Sequence, residues 1–517
     1  MKKQKNQKIK ELGDFQTPII LAEEIVNHLN QLGVIPSSII EPTCGTGSFI
    51  LACIDTFQDA RIFGFDINNK YLNDLSEKLS QINASERVIL QQADFFNIDW
   101  SQKIGELIKP ILVLGNPPWI TSSEIGTLGG TNVPEKHNIY GYQGMDAKTG
   151  KSNFDISEWM IIELLKTLNG HSSTLAMLCK VAVARKVLMY AFKEKMPILS
   201  SAIYLIDAKE HFGASVDACL FICSLKPDSY NYSCLVYQNL NLKRPIQEIG
   251  YINGRIIGNI PFYKKWKHLL GVCIYTWRSG IKHDCVKVME LRQKENQFIN
   301  GFGEIVSIEE DLIYPMLKSS DLANNRVKNI TRWMVVTQKV IGEDTSTIRQ
   351  KCPLTWHYLE NYAYLLNNRV SSIYHDRPSY SIFGVGTYTF SPWKVAISGF
   401  YKELKFRLIE SFDGKPIVFD DTCYFIPATS FEEAAILHTL LDHPITQEFY
   451  QSFIYWNSKR PITKEILQQL DLRQLISEIG IPTFLDLIQR KYENLKRDII
   501  ATTLNCINDS NYTNNFM

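Results

Sequence analysis

The sequence predicts an α/β domain on a doubly wound sheet over residues 11–230 and a mixed α+β domain over 231–505. A flexible tail is expected at 506–517. Three observations lead there. Short apolar runs alternate with helical stretches through the first 225 residues, as in parallel sheets whose strands return through helices. Beyond about residue 230 the alternation stops. A chain of 517 residues is also too long for one core, on a prior of roughly 100–200 residues per domain.

Strands are expected at Ser38–Glu41, Ile62–Asp66, Val88–Ala93 and Ile111–Gly115. Between the second and third, Leu72, Leu75, Leu79 and Ile82 recur at helical spacing, predicting a helix over Asn69–Ile82. Further helices are expected at about Ile156–Leu168 and Ala182–Lys195, with strands at Thr174–Cys179, Ile203–Ile206 and Ala218–Leu225. The short link between the last two strands predicts a hairpin with an antiparallel edge strand. Between Trp119 and Phe154 the pattern breaks into a stretch carrying Gly126, Gly129, Gly130, Gly141, Gly144 and Gly150 with Lys136, Lys148 and Lys151. An insertion of this length in a compact domain is functional or disordered, and here a mobile cover over the preceding residues is expected.

Residues 241–300 hold eleven Lys/Arg against four Asp/Glu, interleaved with Tyr251, Phe262, Tyr263, Trp266, Tyr275 and Trp277. Basic residues with aromatics suit nucleic-acid contact; a solvated surface over ordinary core aromatics is the alternative. Residues 330–430 read as β-rich and irregular, and the chain turns helical from Phe431. The net charge of +1 decides nothing about partners, since one basic cleft can sit within a balanced total. No apolar run has membrane length and the N-terminus lacks an apolar signal core, so no membrane partner and a cytoplasmic location are expected. The eleven cysteines show no C-x-x-C pair. Cys219 and Cys223 read as reduced core, and neither metal nor disulfide is assigned.

The chemistry lies at the strand ends. Ile39–Phe49 is a strand, a glycine turn and a helix start, in which Gly45 and Gly47 let the backbone bend tightly and approach a ligand. The G-x-G-x-x-G fingerprint is incomplete, because position 50 is isoleucine. The strand ends on Glu41, which would repel pyrophosphate but pair with an ammonium group. The next strand ends on Asp66, at a spacing that suits a carboxylate accepting both ribose hydroxyls. The third ends in Ala93-Asp94-Phe95, where Asp94 suits an adenine amino group and Phe95 its ring. The fourth runs into Asn116-Pro117-Pro118-Trp119. The prolines remove backbone donors, so the Asn116 side-chain oxygen and the Pro117 carbonyl are free to accept from one exocyclic amine, and Trp119 offers a stacking face. Any single acid is explained by helix capping; the ordered set is not. An amine, a ribose and an adenine without phosphate match S-adenosylmethionine.

This series resembles the γ-group of DNA amino-methyltransferases, which act on adenine N6, over roughly residues 11–225. Gly13-Asp14-Phe15-Gln16-Thr17-Pro18 resembles that family's N-terminal motif, which contacts the methionine end of the cofactor. Glu41–Phe49, including Cys44, resembles motif I, Asp66 the ribose acid, Asp94-Phe95 the adenine contacts and Asn116–Trp119 the catalytic tetrapeptide. The resemblance implies a Rossmann-like methyltransferase sheet, Pro118 against S-adenosylmethionine, and Phe212, in Glu210-His211-Phe212-Gly213, as the aromatic that sandwiches an extruded base with Trp119. Trp119 departs from the commoner tyrosine or phenylalanine, and stacking survives the change. Residues from about 231 would be the target-recognition domain. The implied partner is double-stranded DNA with a specific recognition sequence, bound by a monomer, with any cognate endonuclease on a separate chain. The alternatives are another planar amine or amide (cytosine N4, RNA guanine, protein glutamine) or an inactive specificity subunit.

Overall fold

Ile111–Gly115 is buried at every residue, as a central strand covered on both faces must be. It is β4 of a ten-stranded sheet whose other members are β1 Ser38–Glu41, β2 Arg61–Asp66, β3 Val88–Gln92, β5 Ser173–Lys180, β6 Ile198–Ile206, β7 Ala218–Leu225, β8 Ser233–Tyr237, β9 Gln247–Ile252 and β10 Arg255–Ile257. The computed structural model describes residues 15–120, 155–295, 297–456 and 460–508. The Gly-rich stretch of 121–154 and Gly13-Asp14 lie outside the described residues.

The strand order is β10-β9-β8-β6-β7-β5-β4-β1-β2-β3. The run β5-β4-β1-β2-β3 is parallel throughout, so those five strands point their carboxyl ends to one edge. Between β1 and β4 the winding reverses, which opens a crevice at that edge. Helices cover the faces. Asn68 caps Asn69–Gln81 by accepting from the Lys70 N–H, and Leu72, Leu75 and Leu79 of that helix are buried. Asp155 caps Ile156–Leu168 in the same way through the Ser157 N–H.

The hairpin expected at the sheet edge is interior. β7 runs antiparallel to both β6 and β5, because its apolar residues are buried on both faces and need neighbours on both sides. The domain boundary also differs from residue 230. The first unit extends to Ile260 and the second begins at Pro261, since β8, pairing with β6, carries β9 and β10 onto the same sheet.

The second unit holds a six-stranded and a four-stranded sheet followed by helices, including Phe431–Asp442, Pro444–Gln451, Leu472–Ile479, Ile481–Lys491 and Arg497–Asn508. It is α+β as expected. Two helices, Pro353–Asn361 and Ala363–Asn367, interrupt the stretch read as β-rich. Pro353 starts the first, and Thr355, Tyr358 and Leu359 form its buried stripe. The final helix includes 506–508, where a flexible tail was expected, and 509–517 lie outside the described residues. Most aromatics of the basic segment are core: Tyr263, Trp266, Tyr275 and Trp277 are buried. The Tyr275 hydroxyl donates to Glu433 and the Trp266 indole to Glu448, so these rings are not a stacking surface. Among the described residues no helix is long and apolar enough to cross a membrane.

Candidate active site

The reversal of winding places β1 beside β4 in register, with Ile40 opposite Val113. Extending that register sets Glu41 beside the last residues of β4, which Asn116 directly follows. A Cβ on Gly115 would lie 3.7 Å from Glu41 Cγ. Along the sheet edge the groups follow in the order Asn116, Glu41, Asp66, Asp94, because the strands run β4-β1-β2-β3.

Glu41 is only 3 % exposed. It accepts from the Ile50 N–H, while its Oε2 has no hydrogen-bond partner. Burial pushes this carboxyl well above the usual glutamate range, and the Asp66 charge adds to the rise. Thr43 Oγ1 and Asn116 Oδ1 are likewise buried without partners. Three orphaned polar atoms around one crevice are costly unless something there pairs with them. An ammonium group beside Glu41 meets that requirement, so the residues fit the methionine end of S-adenosylmethionine.

The glycine turn is held in place by its surroundings. Gly45 and Gly47 adopt left-handed φ values of +50° and +80°. A Cβ on Gly45 would lie 2.5 Å from Gln16 Oε1, and one on Gly47 would enter the Leu75 side chain. Gln16 Oε1 accepts from both the Thr46 N–H (2.9 Å) and its hydroxyl (3.0 Å), and the Ser48 hydroxyl donates to the Thr17 carbonyl (2.7 Å). Thr17 is buried and Pro18 half-buried; the Pro18 carbonyl accepts from the Ala22 N–H at the start of helix Ile19–Gln31. Cys44 is buried beneath the turn, and desolvation with the Glu41 and Asp66 charges pushes its thiol up. Asp66 accepts from the Gly45 N–H (2.8 Å) and the Asn68 N–H (2.7 Å). The carboxylate is thus fixed between turn and strand end.

At the third strand the geometry differs from the simplest expectation. Asp94 accepts from the Phe96 N–H (3.1 Å). Phe95 is buried against Trp100 at 4.9 Å between centroids, with Phe96 and Trp159 nearby. Phe96 is the half-buried ring of the pair.

The tetrapeptide is gripped from three sides. Asn116 Nδ2 donates to the Phe15 carbonyl at 2.8 Å, which sets the amide orientation and leaves Oδ1 as the acceptor. Pro117 is buried and Pro118 half-buried. The Trp119 indole donates to the Leu178 carbonyl (3.3 Å). Its ring lies 5.9 Å from Phe15 and 5.1 Å, edge to face, from Phe212. Phe212 ends the short helix Ala208–Phe212, closed by Gly213 at φ +65°. Lys180, at the end of β5, donates to the Trp119 carbonyl (3.0 Å) and to Asp155 (2.6 Å). Ile156 N–H donates to the Ile120 carbonyl (2.9 Å), which joins these two residues beside the tetrapeptide. Sequence reading missed Gln16, Thr43 and Lys180. Gln16 lay inside a quoted motif, whereas nothing in the chain marks Lys180 before β4 and β5 are known to be neighbours.

No family model matches the chain. It is 47% identical to the type II methyltransferase M.NspV of Nostoc sp. over 476 residues, covering 91% of this chain and 98% of that protein. It is 31% identical to the type II methyltransferase M.CvrRI of Paramecium bursaria Chlorella virus XZ-6E over 109 residues, 21% of this chain and 25% of that one. Among solved structures, the type IIL restriction-modification enzyme MmeI in complex with DNA aligns at a TM-score of 0.53 and 13% identity, covering 97% of this chain and 71% of that one. That likeness speaks for the fold alone: a Rossmann-like methyltransferase sheet followed by further sheets. With near-half identity maintained along almost the whole of M.NspV, the chain belongs to the type II methyltransferase family.

Proposed function

We propose that the protein transfers a methyl group from S-adenosylmethionine to N6 of an adenine turned out of double-stranded DNA, as the modification enzyme of a restriction-modification system. The observation that carries this is the Asn116 amide. Its nitrogen donates to the Phe15 carbonyl, which fixes the amide orientation, and its buried oxygen has no partner, so what it presents is an acceptor for a planar amine. The cofactor supplies an electrophilic methyl on sulfur. Glu41 would hold its ammonium, Asp66 its ribose hydroxyls and Asp94 its adenine amine, with Gly45 and Gly47 keeping the turn close and Pro118 against it.

Adenine N6 is a weak nucleophile in a base pair and must leave the stack to react. Asn116 Oδ1 and the Pro117 carbonyl would hold the amine and stabilise the positive charge that grows on N6 as it attacks, so the acceleration is positional and electrostatic. No strong base is required, because the methylated amine sheds its proton readily. A base stacked between Trp119 and Phe212 needs those rings about 7 Å apart, twice a stacking distance of roughly 3.4 Å. They stand 5.1 Å apart, so Phe212 must swing away as the base enters. The second unit would read the DNA sequence, and a separate chain would supply any cognate endonuclease.

Labelled cofactor and plasmid DNA, followed by nucleoside analysis and sequencing of modified positions, test the reading. Label in N6-methyladenine at one motif is expected. Label in N4-methylcytosine, RNA or protein would overturn it.

A further inference from the structure

In the second unit a cleft of about 300 Å³ is lined by Lys282, Asp421, Tyr424, Arg460, Lys464 and Glu465, with Gly280 and Gly384 in its wall. We infer that this cleft reads the major-groove edge of a G·C base pair, with Arg460 as the guanine-reading residue. The inference rests on the DNA-methyltransferase reading and adds to it where the target sequence is recognised.

The wall is built from strands in close contact. Ser279 of the short strand Arg278–Ser279 pairs with Tyr424 of the strand Cys423–Ala428, and Lys282 pairs with Phe383 in an isolated bridge. A Cβ on Gly280 would run into the Asp420 carbonyl, and one on Gly384, at φ +71°, into the Gly280 carbonyl. A rigid backbone therefore carries the polar side chains. Arg460 is preorganised on it. Its guanidinium lies over the Phe400 ring at 4.8 Å, hydrogen-bonds the Tyr424 hydroxyl and sits 3.8 Å from the Asp421 carboxylate. A third of the side chain is exposed to the cleft's solvent.

The mixture of charge selects the ligand. A phosphate would meet Lys282, Arg460 and Lys464 but be repelled by Asp421 and Glu465. A G·C edge shows two acceptors on guanine, O6 and N7, beside the N4 donor of cytosine. The arginine fork matches the first two, and a neighbouring carboxylate accepts from the third. Stacking on Phe400 lowers the entropy of holding the fork in place.

The test compares full-length wild type with Arg460→Ala and Arg460→Lys on plasmid DNA and on duplexes bearing each single base-pair change in the wild-type motif. Arg460→Ala is expected to lose on the order of 10- to 100-fold in kcat/KM on the cognate site and to relax at one G·C position. Its S-adenosylmethionine affinity and melting temperature should stay at wild-type values. Arg460→Lys should not restore discrimination, because an ammonium lacks the fork. Phe400→Leu, a milder change, should weaken the same position and serves if the arginine variants do not fold. The inference is overturned if discrimination stays intact at every position. It is equally overturned if activity falls alike on all sequences with a shallower salt dependence, which marks a phosphate contact, or if the wild-type motif has no G·C pair. Failure of wild type to methylate any DNA would instead sink the functional reading on which this one stands.

Discussion

Replacing Glu41 with glutamine keeps shape and removes charge at the one buried acid of the crevice whose second oxygen has no partner. Two opposite effects follow. Without cofactor, burial raises the Glu41 carboxyl well above its ordinary value of 4.5. An acid whose folded pKa is raised contributes stability that is complete below the ordinary value and lost as pH rises through the raised one. The wild-type protein therefore loses stability as pH rises from the ordinary value through the raised one, and Glu41→Gln does not. Removing the desolvation cost of the buried carboxylate amounts to about 1–3 kcal/mol, or about 2–4 °C of melting temperature per kcal/mol in a domain of 150–250 residues. With cofactor, the sign inverts. Loss of one partner of a buried charge pair costs about 2–5 kcal/mol, so S-adenosylmethionine affinity should fall by about 30-fold to a few thousand-fold. Calorimetry in buffers of different ionisation heat adds a third readout. Wild type should release a proton on binding at pH values between 4.5 and the raised value, and the variant none. Thermal melts across the pH range with titration of the cofactor would measure all of this. Affinity within about threefold of wild type would refute the ammonium-pairing role.

Three further outcomes are expected. Asn116→Ala should lower kcat by about 10²–10³-fold, the usual loss for one transition-state hydrogen bond, with cofactor affinity within about twofold by calorimetry; equal loss in both would remove its acceptor role. With 2-aminopurine at the target position, enzyme lacking the Phe212 ring (Phe212→Ala) should show brighter fluorescence on binding than wild type, because one quenching face is gone, and identical spectra would exclude that ring from the base site. Lys180→Met frees the Trp119 carbonyl and leaves the half-capped Asp155 carboxylate without its cation. It should cut kcat while KM for cofactor holds, lower stability by about 1–3 kcal/mol, and be partly rescued by Lys180→Arg; unchanged kcat in a folded variant would confine Lys180 to a structural role.

Local pattern carried much of this far into the chain. Apolar runs terminated by Glu41, Asp66, Asp94 and Asn116 were legible because strand period, glycine turns and proline punctuation act over a few residues. The helix at Asn69–Gln81 was legible from its leucine spacing for the same reason. The basic segment stayed ambiguous in sequence, because charge and aromatic content do not tell which face a ring takes; the structure selects the core reading for its rings, with Trp277 and Tyr275 wholly buried. The domain boundary misled, since strand pairing with β6, rather than composition, drew β8–β10 into the first sheet.

The sequence by itself determined the residue types at each strand end, and hence the expectation of a site for an amine, a ribose and two planar rings. It listed them in the order 41, 66, 94, 116. Only the tertiary structure decided that 116 precedes 41 in space, because strand adjacency is set by long-range pairing and by the reversal of winding between β1 and β4. That adjacency brings Glu41 to the end of β4, from which Asn116 follows. The same long-range packing brings the Phe15 carbonyl to the Asn116 amide from 101 residues away, turning an ambiguous side chain into an acceptor.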